Sequence, residues 1–267
     1  MTSETVRRGL SYSDYLALDE LLGAQHPLSG EHDELLFIII HQASELWLKL
    51  SIHELQGARA HIARDDLGPA FKMIARVSRI QGQLIQSWDV LATMTPTEYA
   101  AIRPHLGQSS GFQSHQYRML EFLMGAKDAA HVRLHEGETN HVALAQALAE
   151  PSLYDECLRL LAQRGFAIAP ELIDRDWRIP HQPDPSVEAA WRAVYLDPER
   201  HWDLYELAEK LVDLEFRFQQ WRFAHLKTVE RIIGFKSGTG GSSGATYLSR
   251  ALSASFFPEL FSVRTAL

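Results

Sequence analysis

The longest periodic pattern in the sequence, from about Pro198 to Ile233, constrains the fold more than any other feature. Apolar residues recur there at intervals of three and four with polar residues between them, which predicts one long amphipathic helix. The apolar positions are Leu204, Leu207, Leu211, Leu214, Phe218, Trp221 and Phe223. Gly234 follows directly and predicts the end of the helix, because glycine readily adopts the left-handed conformation of a helix C-terminus.

Similar helical patterns cover most of the remaining chain, and no segment has a convincing strand pattern. Ser13 is the predicted cap of a first helix over Tyr15–Leu22. Further helices are predicted over His32–Ala63, Pro69–Thr93, Phe112–Met124, Asn140–Ala149, Ser152–Arg164, Val187–Val194 and Tyr247–Ser255. Four prolines between residues 165 and 185 indicate a loop.

A capping box marks one further short helix. Thr95 and Glu98 have the spacing of that motif, and Pro96 occupies the first helical position, so a helix is predicted through Ile102. We therefore predict an all-α protein, a single helical-bundle domain over residues 1–267. An N-terminal arm over about 1–24 and a small helical insertion over about 130–185 complete this organisation.

Composition narrows the class of protein. A formal net charge of −8 makes non-specific binding to nucleic acid or to an anionic membrane unexpected. Cys157 is the only cysteine, which excludes an internal disulfide or a thiolate cluster and suits a reducing compartment. No apolar segment follows the first residues, and no apolar run approaches the roughly 20 residues of a membrane span. A cytoplasmic protein without nucleic-acid or membrane partners is expected.

His225 is a candidate metal ligand on the long helix. It lies one turn after Trp221 and one turn before Val229, so it shares a partly apolar helical face with both. A neutral imidazole on such a face can bind haem iron or another soft metal. The alternative is a buried histidine that is hydrogen-bonded to a backbone carbonyl.

A second candidate histidine follows a run of apolar residues. Phe37 and His41 are four residues apart and project from one face of a helix, with three isoleucines between them. Because burying an unpaired polar group is costly, His41 needs a partner. It is either a core histidine bonded to a neighbour or part of an apolar pocket, as a ligand or as a hydrogen-bond partner of a substrate.

Two further features have chemical potential. Tyr99 and Arg103 are also four residues apart, and an arginine beside a phenol can bind a carboxylate, although an exposed arginine is the usual outcome. The glycine-rich segment Ser237–Gly244 lacks the spacing of a phosphate-binding loop. It is either a flexible linker or a lid that closes over a substrate.

Together these stretches resemble the tryptophan 2,3-dioxygenases, haem enzymes that open the indole ring of L-tryptophan. The resemblance extends nearly from end to end and is weakest over about 130–185. The segments that carry it are Tyr12–Leu16, His32–Trp47, Ser110–Ser114, Gln116–Arg118, the helix and loop over Trp221–Thr246, and Phe256–Phe261.

The resemblance implies an all-α homotetramer with one b-type haem per subunit, ferrous in the active form. His225 matches the axial haem ligand, His41 the distal histidine near the indole nitrogen, and Phe37 the aromatic residue beside the ring. Further substrate-site positions in the same motifs are Ile38, Ile39, Ile40 and Ser110. Both atoms of O2 would enter the indole C2–C3 bond and give N-formyl-L-kynurenine, the first step of tryptophan catabolism by the kynurenine route.

The same resemblance assigns the polar end of the substrate. Tyr99 and Arg103 match the residues that bind the carboxylate, and Thr239 matches a loop threonine that meets the ammonium group. Tyr12 and Tyr15 match N-terminal tyrosines that reach the active site of a neighbouring subunit.

Three other functions remain open at this point. A relative that acts on a broader set of indoleamines would be an enzyme of the same class, although Arg103 and the threonine loop favour the strict amino acid. A haem sensor or carrier would have a haem spectrum without consuming tryptophan. A helical scaffold protein would have neither property.

Overall fold

The computed structural model describes residues 9–236 and 244–267. These residues form α-helices joined by turns and short 3-10 segments, and they include no β-strand, which confirms the predicted all-α class. The helices are α1 Tyr12–Leu16, α2 Leu18–Leu22, α3 Glu34–Ile62, α4 Leu67–Leu91, α5 Pro96–Ile102, α6 His115–Met124, α7 Ala129–Arg133, α8 His141–Ala149, α9 Leu153–Gln163, α10 Pro170–Ile173, α11 Pro185–Leu196, α12 Trp202–Ile232, α13 Ala245–Ala251 and α14 Pro258–Ser262.

The three longest helices, α3, α4 and α12, form the centre of the molecule, and α4 packs against both of the others. Each helix buries apolar residues at intervals of three and four, so the periodicity that predicts the helices also joins them. Fully buried positions include Leu55, Ala58 and Ile62 of α3, Ala70, Ile74 and Val77 of α4, and Leu207, Leu211 and Leu214 of α12. Gly234 has a φ of +70° just after α12, as the predicted helix end requires.

Helices in the middle of the chain contribute to two separate hydrophobic clusters. Leu153, Cys157 and Leu161 of α9 belong to the main core. By contrast, α7 and α8 pack around Phe122 of α6 in a smaller cluster that includes Leu144. That residues 130–185 form an insertion within one domain stays a prediction.

The N-terminal helix differs from the prediction. Ser11, not Ser13, caps α1, and its side chain forms a capping box with Asp14. The chain then breaks at Ala17, whose φ is +50°, so the predicted helix over Tyr15–Leu22 is two short helices. The short helices α7, α10 and α14 were also missed, because five residues or fewer do not establish a helical period.

Buried carboxylates attach the C-terminal segment to the bundle. Glu215 of α12 accepts hydrogen bonds from the backbone N–H groups of Phe256 and Phe257, at 3.0 and 2.8 Å. Glu259 of α14 accepts from the Tyr154 hydroxyl at 2.9 Å and lies 2.6 Å from His181 Nε2. These bonds satisfy carboxylates that would otherwise be costly to bury.

Helix α3 is apolar over a longer stretch than the sequence analysis recognised. By length and composition alone, Glu34–Ile62 could cross a membrane. The helix packs against α4, α6 and α9, and the core helix of a bundle has the same composition. Only 17% of its most apolar 18-residue window is buried, so contacts within this chain account for only part of that hydropathy.

Candidate active site

A large cavity opens between α3, α4, α5, α6, α12 and α13. Its empty volume, counting the open mouth, is about 1510 Å³. Five residues singled out from the sequence line it, namely Phe37, His41, Tyr99, Ser110 and His225.

One wall of the cavity comes from α3. Phe37 and His41 face it together, with their ring centroids 4.3 Å apart. His41 Nδ1 lies 2.7 Å from the carbonyl oxygen of Phe37. A carbonyl can only accept, so Nδ1 carries the proton, and burial lowers the pKa of His41 and keeps the ring neutral. Nε2 of His41 is therefore left with a lone pair.

The opposite histidine comes from α12. Burial, with a smaller contribution from His41, lowers the pKa of His225 to about 4, so this imidazole is also neutral at physiological pH. The ring stacks on the indole of Trp88 with 4.4 Å between centroids and an angle of 4° between planes. Neither nitrogen of His225 has a hydrogen-bond partner among the described residues. A lone pair on this ring can therefore bind a metal.

The capped helix α5 contributes a third wall. Its N-terminus has the predicted capping box, in which Thr95 N donates to Glu98 at 2.7 Å. Tyr99 is buried at the cavity, with its ring 6.1 Å from that of Phe37. Arg103 is half-buried at the end of the helix and does not line the cavity, but its charge acts on the Tyr99 phenol.

Several predicted site residues lie elsewhere. The three isoleucines between Phe37 and His41, Ile38–Ile40, do not line the cavity, since consecutive residues point to different sides of a helix. Tyr12 and Tyr15 are 76% and 74% exposed on α1. Thr239 and residues 237–243 lie outside the described part of the chain, although Ile233 and Gly244 on either side line the cavity.

Sequence analysis did not identify Trp88 as a site residue, and it did not identify the charged residues that also line the cavity. Arg118 of α6 and Arg222 of α12 both line the cavity, and Glu121 binds the two guanidinium groups at 2.6 and 2.8 Å. Glu45, one turn after His41, accepts from Gln116 Nε2 at 2.7 Å. Sequence analysis noted Arg118 only as part of a motif shared with the family. Hydrogen bonds between different helices produce no periodic pattern in a sequence, so it could not predict them.

The chemistry of the cavity fits a haem. No group of three or more His, Cys, Asp or Glu side chains that could hold a metal occurs in residues 9–236 and 244–267. A metal here would need most of its ligands from elsewhere, as haem iron does from its porphyrin. His225 offers one neutral imidazole, and the wall around it includes Trp88, Leu91, Val229 and Ile232. We conclude that the residues present suit a haem with one histidine ligand.

Comparison with known proteins identifies the family. The sequence model of the family described as tryptophan 2,3-dioxygenase matches residues 2–146 and 146–267. The protein named tryptophan 2,3-dioxygenase of Erythrobacter litoralis is 62% identical over 97% of this chain and 98% of its own. Tryptophan 2,3-dioxygenase 1 of Ralstonia nicotianae is 59% identical over 97% of this chain and 89% of its own.

A third relative shows the same extent of similarity. The protein named tryptophan 2,3-dioxygenase of Burkholderia pseudomallei is 60% identical over 97% of this chain and 85% of its own. Matches of this identity cover both the central bundle and the region over 130–185, where the resemblance from motifs alone was weakest. With the family model spanning residues 2–267, this chain belongs to the tryptophan 2,3-dioxygenase family.

Proposed function

We propose that the cavity is the active site of a haem-dependent dioxygenase that converts L-tryptophan and O2 to N-formyl-L-kynurenine. The observation that carries the proposal is a pair of neutral histidines, His41 and His225, on the walls of one large cavity with apolar surroundings. Family membership supplies the reaction, and the cavity supplies residues for each part of the substrate.

His225 would hold the iron. Its low pKa keeps the lone pair available over the physiological range, because the proton does not compete for it. When bound, haem supplies the iron at which O2 is activated for addition to the indole. The apolar wall around Trp88 and Leu91 would exclude water from this region.

His41 would orient the indole. Its Nδ1–H is held by the Phe37 carbonyl, so Nε2 can accept a hydrogen bond from the indole N–H. The rings of Phe37 and Tyr99 lie beside it and offer aromatic surfaces for the indole. Hydrogen bonding and positioning suffice for this role, and removal of the indole proton by His41 is not required. Ser110, which caps the adjacent 3-10 turn and lines the cavity, would complete this wall.

Arg103, Tyr99 and Thr239 would bind the amino-acid end of the substrate. A guanidinium and a phenol suit a carboxylate, and Arg103 is close enough to act on the pKa of Tyr99. Burial raises that pKa, so the phenol stays protonated and can donate. Thr239 would meet the ammonium group, in a segment whose flanking residues line the cavity.

The proposal is tested first by spectroscopy and turnover. The purified protein should have a haem spectrum, and its ferrous form should consume tryptophan in air and release N-formyl-L-kynurenine. His225→Ala should lose stable haem binding while it keeps its helix content by circular dichroism. A haem spectrum without turnover would indicate a sensor or carrier, and a normal spectrum in His225→Ala would refute the assigned ligand.

Substrate choice is tested at Arg103. Arg103 would pair with the substrate carboxylate, and losing one partner of a charge pair that binding buries typically costs about 2–5 kcal/mol, so Arg103→Leu should raise KM for tryptophan at least tenfold. Tryptamine, which lacks the carboxylate, should be a poor substrate of the unchanged protein and respond little to the substitution. Equal turnover of tryptamine and tryptophan would favour an enzyme of broader indoleamine specificity.

We also propose a cytoplasmic homotetramer in which the N-terminal arm reaches a neighbouring subunit. Tyr12 and Tyr15 are largely exposed, and Leu35, Ile39 and Leu46 on one side of α3 are about half exposed, which suits burial against further copies. The one thiol, Cys157, is buried and suits a reducing compartment. Sedimentation of the full chain gives the oligomeric state, and a monomer with full activity would refute the arm's role.

A further inference from the structure

Two buried arginines at the cavity share one carboxylate. Arg118 and Arg222 are 1% and 5% exposed, and Glu121 is 6% exposed between them. Arg118 Nη1 donates to one oxygen of Glu121 at 2.6 Å, and Arg222 Nη2 donates to the other at 2.8 Å. Buried charges are normally paired, and within residues 9–236 and 244–267 the two cations share one direct anionic partner.

The two arginines differ in how many of their side-chain nitrogens are hydrogen-bonded. Arg222 uses all three of its nitrogens, since Nε donates to the Tyr117 hydroxyl at 3.3 Å and Nη1 to the Ala251 carbonyl at 2.9 Å. Arg118 Nη2 donates to the Phe112 carbonyl at 3.2 Å. Its Nε–H is buried and has no partner in the described part of the chain. Arg118 as a residue lines the cavity, and a buried donor without a partner calls for an acceptor.

The other ionisable groups nearby do not supply that acceptor. Glu45 lines the same cavity, but its carboxylate accepts a hydrogen bond from Gln116 Nε2 at 2.7 Å. Glu215 lies within the electrostatic range of Arg222, yet its oxygens accept from Ser255 and from the backbone. Burial raises the pKa of Tyr117, so that phenol is neutral, and burial lowers the pKa of His131, which keeps that ring neutral as well.

The position of the pair relates it to the iron ligand. Arg222 precedes His225 by three residues on α12, so both side chains lie on one side of the helix. The proposed carboxylate site of the substrate is on a different helix, at Tyr99 and Arg103 of α5 and its C-terminal end. An anion at Arg118 would thus belong to a ligand held through His225 rather than to the end of the substrate bound at α5.

We propose that Arg118, held in place by Glu121 and Arg222, binds a carboxylate of the porphyrin in this cavity. The inference rests on the proposed haem function and adds the residues that fix the orientation of the ring about the iron–His225 bond. A guanidinium that already donates to Glu121 and Phe112 is restrained, so little ordering remains to oppose this additional bond.

The test combines a change in the porphyrin with a change in the protein. Haem-free full-length protein is titrated with iron protoporphyrin IX and with its dimethyl ester, which has no free carboxylate, and binding is followed by the Soret band. The unchanged protein, Arg118→Lys and Arg118→Leu are compared. Arg175→Leu is the matched control, because Arg175 pairs with buried Asp155 and also has an unpartnered buried Nε, but does not line the cavity.

The unchanged protein should bind the diacid at least tenfold more tightly than the diester, as expected for a lost charge-assisted hydrogen bond of about 1.5–3 kcal/mol. In both Arg118 variants this ratio should fall towards one, whereas Arg175→Leu should keep it. The comparison of the diacid with the diester uses the unchanged protein, so the test remains valid even if a variant fails to fold.

Each other outcome has a distinct meaning. A diacid-to-diester ratio near one in the unchanged protein, or the full ratio in a folded Arg118 variant, would overturn the inference and leave the haem site standing. If Arg118→Lys keeps the ratio but loses affinity for tryptophan, the anion at Arg118 is the substrate carboxylate, and the inference is also overturned. Failure of the unchanged protein to bind either porphyrin would refute the proposed function itself.

Discussion

The lowered pKa of His225 should make the haem-free protein less stable as the pH falls. Burial, with a smaller contribution from His41, lowers this pKa from 6.5 to about 4. Between these values the unfolded chain binds a proton at His225 and the folded chain does not. The stabilising effect of the neutral imidazole is therefore complete above pH 6.5 and is lost as the pH drops towards about 4.

The size of the effect follows from the two pKa values. Each unit of difference corresponds to about 1.4 kcal/mol, so the full loss through His225 is about 3 kcal/mol. Lowering the pH from 7.5 to 5 covers most of the titration of the unfolded chain. That change alone should reduce the free energy of unfolding by about 2 kcal/mol through this residue.

Urea unfolding of the haem-free protein, followed by circular dichroism at pH 7.5 and pH 5, measures this loss. His225→Gln is the reference, because its amide does not titrate while every other group stays in place. The unchanged protein should lose about 2 kcal/mol more than the variant between the two pH values. An equal loss in both proteins would mean that His225 titrates normally and that its surroundings are hydrated, contrary to the structure.

Three further predictions address other parts of the fold. Thr95→Ala removes the cap of α5 and should lower the free energy of unfolding by about 1 kcal/mol in urea titrations, and raise KM for tryptophan through Tyr99. Trp88→Leu should weaken haem binding two- to tenfold relative to Trp88→Phe, since a stacked aromatic pair contributes about 0.5–1.5 kcal/mol; equal affinities would show that the stack is irrelevant. Glu259→Gln should destabilise the protein by about 1–3 kcal/mol, because an amide NH2 cannot accept both bonds that the carboxylate accepts from Tyr154 and His181, while Glu188→Gln at the surface should cost less.

The long helices were predictable because local sequence and packing agree. The pattern from Leu204 to Phe218 is both the apolar face of α12 and its contact with the core. Thr95 and Gly234 mark helix ends through their own backbone requirements, and both function as predicted. At the N-terminus two serines compete, and Ser11 forms the cap because Asp14 stands at the third helical position. The prediction chose Ser13 and so overlooked that reciprocal pair.

The candidate site was predictable only where a single helix presents it. Phe37 and His41 share a face through their spacing of four, and the family motif then assigned them. Trp88 meets His225 through the packing of α4 on α12, and Glu121 meets Arg222 across 101 residues of sequence. Such pairs depend on how helices are arranged in space, which neither periodicity nor composition encodes.

The stack of Trp88 on His225 has a consequence for the iron. Metal-bound histidines usually donate their second N–H to a carbonyl or carboxylate, which fixes the ring and makes it a more basic ligand. Among the described residues His225 has no such acceptor, and the flat contact with Trp88 restrains the ring plane instead. The imidazole is therefore held in orientation without gaining basicity. If His225 holds a haem, this less basic ligand would stabilise ferric iron less and so would favour the ferrous state. Arg118 and Arg222 also line the cavity, and their positive charge would act in the same direction on a haem bound there.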